Sequence, residues 1–325
     1  MLWLAGLVAA LVLTALLSVA LGSRVVGMQD VFAALGGDSS GFDRAAVTKR
    51  IPRTALALLA GAALAVSGAV LQGITRNPVA DSGILGIDMG ASLAVVTGIA
   101  MFGLTSASSY AWVAIAGAAV TAVGVYTVGS LGRGGATPLK LTLAGAATAA
   151  ALVSLISAVV LPRGDIADSV RSWQIGGVGG GDFATIGPVL PFLIAGFVLA
   201  LACARGLDLL SLGDELAAGL GARVAVTRVA AAGGAVVLCG ASTALTGPIG
   251  FVGLMVPHAV RLLVGVGYRW IIPFSAVGGA LLVTAADVFG RVVARPTEID
   301  VGIITALIGA PLFIAIVRRQ RVREL

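Results

Sequence analysis

Only 11% of the 325 residues are charged and only 5% are aromatic. A soluble domain is roughly a quarter charged, so a water-facing globular surface is excluded. There is one histidine, His258, and there are two cysteines, Cys203 and Cys239. Both cysteines lie in apolar runs without metal-ligand spacing and read as small buried hydrophobes. His258 has no second ligand or base beside it and reads as packing at a helix end. With no cluster of histidine and glutamate and no serine paired to a base, an intramembrane enzyme is excluded, and no catalytic residue, metal site or cofactor is expected. The chain also lacks a G-x-x-x-x-G-K-[ST] loop, so it holds no nucleotide of that kind. No polar stretch is long enough for a separate soluble domain. The longest, about 22–53 and 162–186, are loop-sized, leaving one domain over 1–325.

What is abundant is apolar: 58% of residues are hydrophobic and the mean hydropathy is +1.07. An all-α, polytopic membrane protein follows. Glycine, at 46 residues, is about twice as common as usual, and small residues let helix backbones approach where lipid gives no hydrophobic incentive to associate. The net charge of +6 comes from basic residues flanking apolar runs, not interleaved with aromatics. That placement suits lipid headgroups and not nucleic acid.

A crossing needs about 20 apolar residues. Residues 2–21 supply the first, and without a basic segment before them they read as a retained helix, not a signal peptide. Uncharged runs at 54–75, 141–162, 183–204 and 301–317 supply one each, as does 270–289. The run from Met89 to Gly132 is long enough for two helices, with a turn at Thr105–Ser109. The run from Val229 to Val260 is split by Gly247-Pro248 into a span and a shorter segment at 249–265. The total is about ten.

An even number puts both termini on one side, and the tail arginines Arg318, Arg319, Arg321 and Arg323 point to the cytoplasm. That side also receives Arg76, Arg133, Lys140, Arg205, Arg223, Arg228, Arg261 and Arg269. Against the trend, Lys49, Arg50 and Arg53 cluster outside, with Arg291 and Arg295 on another outer loop. Either the topology is inverted or these arginines have a function.

Residues 205–223, RGLDLLSLGDELAAGLGAR, form a polar island between two spans. Leu209, Leu212, Leu216 and Leu220 recur at helical spacing while Asp214 and Glu215 point elsewhere, so a short amphipathic helix outside the membrane is expected. Ser211 with Asp214 is a capping pattern, and Gly219 and Gly221 are natural stops. The segment suits a solvated connector or a docking surface.

Three blocks carry a resemblance: RIPRTALALLAGAALAVSGAVLQGITRNPVADSGILGIDMGAS at 50–92, TGPIGFVGLMVPHAVRLLVG at 246–265, and ADVFGRVVARPTEIDVGIITALIGAPLFIAIVRR at 286–319. In this order they resemble the iron-siderophore and vitamin B12 permease family of ABC importers, over nearly the whole chain. The resemblance implies a ten-helix permease in the cytoplasmic (inner) membrane, paired with a second, identical or homologous permease. It also implies two cytoplasmic ATP-binding subunits, an extracytoplasmic substrate-binding protein and a metal-chelate substrate, a ferric siderophore first, with haem or cobalamin as alternatives.

Further roles follow from the same resemblance. Arg50, Arg53 and Arg291 match positions that receive acidic residues of the binding protein, a role suited to exposed guanidinium groups. The stretch 211–224 resembles the coupling helix, so Leu212, Gly213, Asp214, Glu215, Leu216, Gly219, Leu220 and Gly221 are expected against the ATPase. Asn77 and Val79 resemble the inner gate, with Thr137 and Pro138 a second gate element.

The break at Gly247 and Pro248 is expected to line the pathway, because irregular backbone at membrane depth is tolerated only where it is buried or lines a cavity. Two acids lie in or beside spans, where a charge is costly. Asp287 has Arg291 one turn on as a partner. Asp88 departs from the family's small polar residue and suits either the positive end of its helix or the pathway. An ion-coupled secondary transporter would need more such groups.

Overall fold

The computed structural model describes residues 2–132 and 137–321, in which there are fourteen helices and no strand. Arg133 and Arg323 of the expected inner cluster lie outside the described residues. In chain order, α1 (Leu2–Ala20) is followed by a short α2 (Met28–Leu35), and then by α3 (Phe42–Thr75). The turn expected at 105–109 separates α4 (Ile87–Phe102) from α5 (Ala107–Ser130), where Ser106 caps α5 by accepting from the Ser109 N–H. Then come α6 (Pro138–Val160), the short α7 (Gly164–Ile175) and α8 (Phe183–Ala202). Two small helices, α9 (Ala204–Leu210) and α10 (Asp214–Gly219), precede α11 (Val224–Thr246), α12 (Val252–Val264), α13 (Tyr268–Val293) and α14 (Val301–Arg321).

Seven of these, α1, α3, α5, α6, α8, α11 and α13, are long and apolar enough to cross a membrane. Three shorter apolar helices, α4, α12 and the Val301–Ala315 part of α14, complete the ten apolar runs. The 34 residues of α3 rise about 50 Å, against a hydrocarbon layer of about 30 Å. Its first three turns, 42–53, therefore stand beyond the apolar run that starts at Thr54, and α2 packs on them through Val31, Ala34 and Val47.

The most enclosed span is α3, with α13, α12, α11 and α8 around it and α1 on the outside. Glycine permits this. A β-carbon on Gly61 would fall on the Gly279 carbonyl of α13, and one on Gly68 would fall on Gly253 of α12. These contacts are backbone to backbone, the packing that small residues give membrane helices. On the other side of α3, the Ser67 hydroxyl donates to the Ala235 carbonyl of α11 at 2.9 Å.

The polar island is two helices, not the one expected. Ser211 does not cap α10: its hydroxyl donates back to the Asp208 carbonyl, and Gly213, at φ 103°, precedes the helix instead. At the other end the stop is as expected. Gly221 takes a left-handed φ of 83° while its N–H and that of Ala222 turn back to Ala218 and Ala217, as a glycine-terminated helix does.

Candidate coupling and gating site

Functional side chains gather at the two ends of the helix bundle. At the end carrying the loops 21–41 and 294–300, Asp287 on α13 is enclosed by two guanidinium groups. Arg53 of α3 donates to Asp287 Oδ1 from Nε at 2.9 Å and from Nη2 at 2.7 Å, and Arg291 Nη2 lies 2.7 Å from Oδ2. Arg291 also donates to the Ser18 and Leu21 carbonyls and to the Ser18 hydroxyl of α1. Arg50 donates to the carbonyls of Val19, Ala20 and Arg24, and Arg295 to that of Gly22. The arginines thus satisfy the carbonyls of Ser18, Val19 and Ala20 at the open C-terminal end of α1 and those of Leu21, Gly22 and Arg24 just beyond it.

The expectation of exposed guanidinium groups is therefore corrected for two of the three. Arg50 is 7% and Arg291 1% exposed, because their donors are consumed by backbone carbonyls and by Asp287. Arg53 alone reaches the rim, where Nη1 donates to Glu298 Oε2 at 2.6 Å. Glu298 also accepts from the Ser23 hydroxyl. Burial acts to raise the Glu298 carboxyl, but the hydrogen bonds from Arg53 and Ser23 outweigh it and hold the group below its ordinary range.

Below the rim, the break between α11 and α12 lies buried. Gly247 takes a φ of 69°, and a β-carbon there would strike the Trp173 carbonyl; Gly176 is pressed in the same way against Pro248. The Gly177 N–H donates to the Thr246 carbonyl, and the Gly302 N–H to that of Gly176. The chain then runs from Gly247, near Gly302, to Phe251, packed on Gly309 two turns further along α14. Irregular backbone at this depth is thus covered by protein.

At the opposite end, α3 stops at Arg76, which is left-handed at φ 51°. Asn77 is buried and its Oδ1 accepts the Val79 N–H at 3.1 Å, so its side chain closes the turn on itself. Thr137 caps α6 by accepting from the Lys140 N–H, and Pro138 is the first residue of that helix. Asp81, in the loop to α4, is 3% exposed, and its carboxylate lies so close to Gly253 of α12 that a β-carbon there would strike it, which sets the 77–83 turn against the start of α12. Asp88 is equally buried in the first turn of α4, where it accepts the Met89 N–H, in keeping with a carboxylate at a helix N-terminus.

The polar island sits at this end too. Its leucines divide: Leu207 and Leu210 are buried in the body, while Leu212, Leu216 and Leu220 project outward at 54%, 63% and 63% exposure. The acids divide as well. Glu215 is exposed, but Asp214 turns inward, accepting from Arg228 Nη2 of α11 at 2.9 and 3.1 Å and lying 3.6 Å from Arg76 Nη2. Asp208, on α9, accepts the Tyr268 N–H at 2.6 Å.

The model of the FecCD transport family matches residues 10–319. The chain belongs to that family. It is 43% identical to the ferric enterobactin transport system permease protein of Escherichia coli over 317 residues, covering 97% of this chain and 94% of that protein. It is 44% identical to the iron(3+)-hydroxamate import system permease protein of Bacillus subtilis over 273 residues, 84% of this chain and 71% of that one. Relatives named for hemin and for cobalamin also match. Among solved structures, an inward-facing metal-chelate type ABC transporter superposes with a TM-score of 0.80 at 28% identity, covering 96% of this chain and 97% of that one. This FecCD member is thus a multi-pass membrane permease and not an enzyme. Sequence reasoning missed Asp81, although it lies inside the first quoted block, and also Glu298, Gln72, Asp208 and Tyr268. Each acts through a contact distant in sequence, so none carried a local signal.

Proposed function

We propose that this chain is the permease subunit of an ABC importer that carries a ferric siderophore across the cytoplasmic membrane by ATP-driven alternating access. The observation that carries the reading is the group of exposed leucines at α10, Leu216 on the helix with Leu212 just before it and Leu220 at its end. These three large apolar side chains, on a segment otherwise tied to the body by Asp214 and the buried Ala217, form a surface made to be covered by another protein. In this reading the partner is a cytoplasmic ATPase, one per permease of a pair, and the polar-island end and both termini face the cytoplasm. The turn at Asn77 and Val79, with Thr137 and Pro138, forms the inner gate, while the broken run at Gly247 and Pro248 flanks the pathway. An extracytoplasmic binding protein docks on the opposite rim, where Arg53 presents its outer edge and Arg50 and Arg291 hold the rim in shape.

Ferric enterobactin and ferric hydroxamate are the first substrates to try, because the relatives above are named for them, with haem and cobalamin as the alternatives. The test is the full transporter in proteoliposomes, supplied with ATP and offered 55Fe as ferric enterobactin or ferric hydroxamate, beside hemin and cobalamin. ATP-dependent accumulation of an iron siderophore in preference to the other two is the expected result. Preference for hemin or cobalamin would move the substrate class. No accumulation of any of the four would overturn the reading.

A further inference from the structure

The polar island touches α3 through α9, and a line of hydrogen bonds that passes by way of α13 and α12 joins the two as well. Asp208 of α9 accepts the N–H of Tyr268, the first residue of α13, a carboxylate placed at a positive helix end. The Tyr268 ring, 6% exposed, lies against Gly73, where a β-carbon would come within 2.9 Å of it. Its hydroxyl accepts from Arg261 Nη2 of α12 at 3.3 Å. Arg261 Nη1 donates to Gln72 Oε1 of α3, and Gln72 Nε2 donates to the Gly253 carbonyl at 3.0 Å. Gln72 is 2% exposed with both ends of its amide engaged. A second contact reaches the residue that ends α3, where Asp214 lies beside Arg76. The last turn of α3 and the residue that ends it are therefore each held from the polar island, immediately before Asn77.

We propose that Asp208, Tyr268, Arg261 and Gln72 are positioning residues that carry displacement of the polar island to the last turn of α3 and so to the 77–80 turn. The proposal rests on the coupling and gating roles given above. Apolar packing alone resists compression but lets surfaces slide, whereas directional hydrogen bonds between ordered side chains resist being pulled apart. A line of such bonds transmits both strokes of a cycle. Near a helix end the polar atoms of Arg261 and Tyr268 could have been satisfied by water or headgroups. Instead they turn inward onto a single turn of α3.

The test uses the assembled transporter in proteoliposomes with ferric enterobactin and ferric hydroxamate as probes, measuring ATPase co-purification, ATP hydrolysis and iron uptake together. Tyr268→Phe removes one oxygen and keeps both the ring against Gly73 and the N–H on Asp208. Gln72→Leu removes the far end of the line. Each variant is expected to co-purify the ATPase and hydrolyse ATP as the parent does, with uptake per ATP about tenfold lower. The double variant should be no worse than either single one, since both cut the same line. Unchanged uptake per ATP in Tyr268→Phe, additive losses in the double variant, or loss of ATPase co-purification in proportion to uptake would each overturn the proposal. If the unsubstituted transporter binds no ATPase or imports neither probe, it is the coupling role itself that fails, and the proposal falls with it.

Discussion

Arg53 and Glu298, 245 positions apart, meet at 2.6 Å on the rim. The same guanidinium holds the buried Asp287 with its inner edge. Three carboxylate substitutions and one arginine substitution should therefore rank by burial. Asp287→Asn leaves the buried Arg291 without a counter-ion and Arg53 with Glu298 alone, and should cost about 3–5 kcal/mol. Arg53→Met leaves Asp287 to Arg291 alone and should cost somewhat less. Glu298→Gln, on the partly exposed pair, should cost under about 1 kcal/mol, and Asp168→Asn, on an almost fully exposed surface pair, should have no measurable effect. Thermal unfolding in nanodiscs gives the order, and a Glu298→Gln variant as unstable as Asp287→Asn would contradict it.

The Arg53 and Ser23 contacts also set an acid limit. The Glu298 carboxyl is held below its ordinary value of 4.5, so the fold favours its charged form. The resulting stabilisation is present above about pH 4.5 and is lost as the pH falls through the lower folded value. Melting temperatures measured downward from pH 7 should show an acid-side decline that is shallower in Glu298→Gln. Superimposable curves for the two proteins would remove Glu298 from the account.

On α10 the leucines and the two acids should separate by effect. Leu216→Ser touches an exposed side chain, so stability should change by less than about 0.5 kcal/mol, while affinity for the ATPase falls at least about tenfold. Glu215→Lys should behave in the same way. Asp214→Asn should instead loosen α10 from Arg228 and raise hydrogen exchange across 214–222 in the permease alone. Equal effects of Asp214→Asn and Glu215→Lys on exchange would show that the inward and outward assignment is wrong.

Glycine substitutions should differ in sign with their surroundings. Gly61→Ala would press a β-carbon onto the Gly279 backbone, which has no rotamer to yield, and should cost about 1–3 kcal/mol. Gly6→Ala in α1 meets nothing and should be neutral or slightly stabilising, by up to about 1 kcal/mol, from helix propensity. A chemical denaturation series on the two variants decides the matter.

The apolar runs, the turn at 105–109 and the break at Gly247-Pro248 were legible because length and punctuation alone define a membrane span. Orientation within the bundle was not. In the membrane, protein-facing and lipid-facing sides are both apolar, so periodicity does not show which face of α3 is enclosed. The same lack of a local marker hid the inward turn of Asp214 and the outward turn of Leu212, Leu216 and Leu220. Arg50 and Arg291 misled for a different reason: a charged residue in a loop region reads as exposed unless the open carbonyls it serves, here at the end of α1, are known. Asp81 was passed over because its partners, the start of α12 among them, are fixed only by the tertiary fold.

Where α3 meets α13 at Gly61 and Gly279, and α12 at Gly68 and Gly253, main chain rests on main chain. Such a contact has no alternative packing to switch into, unlike a seam lined by side chains, such as Trp112 of α5 against Phe192 of α8. These contacts fix the three helices to one another at Gly61 and Gly68, whereas toward Gln72, Arg261 and Tyr268 they are joined through side chains. Relative movement of the helices is therefore expected at side-chain seams, with the main-chain contacts at Gly61 and Gly68 staying closed.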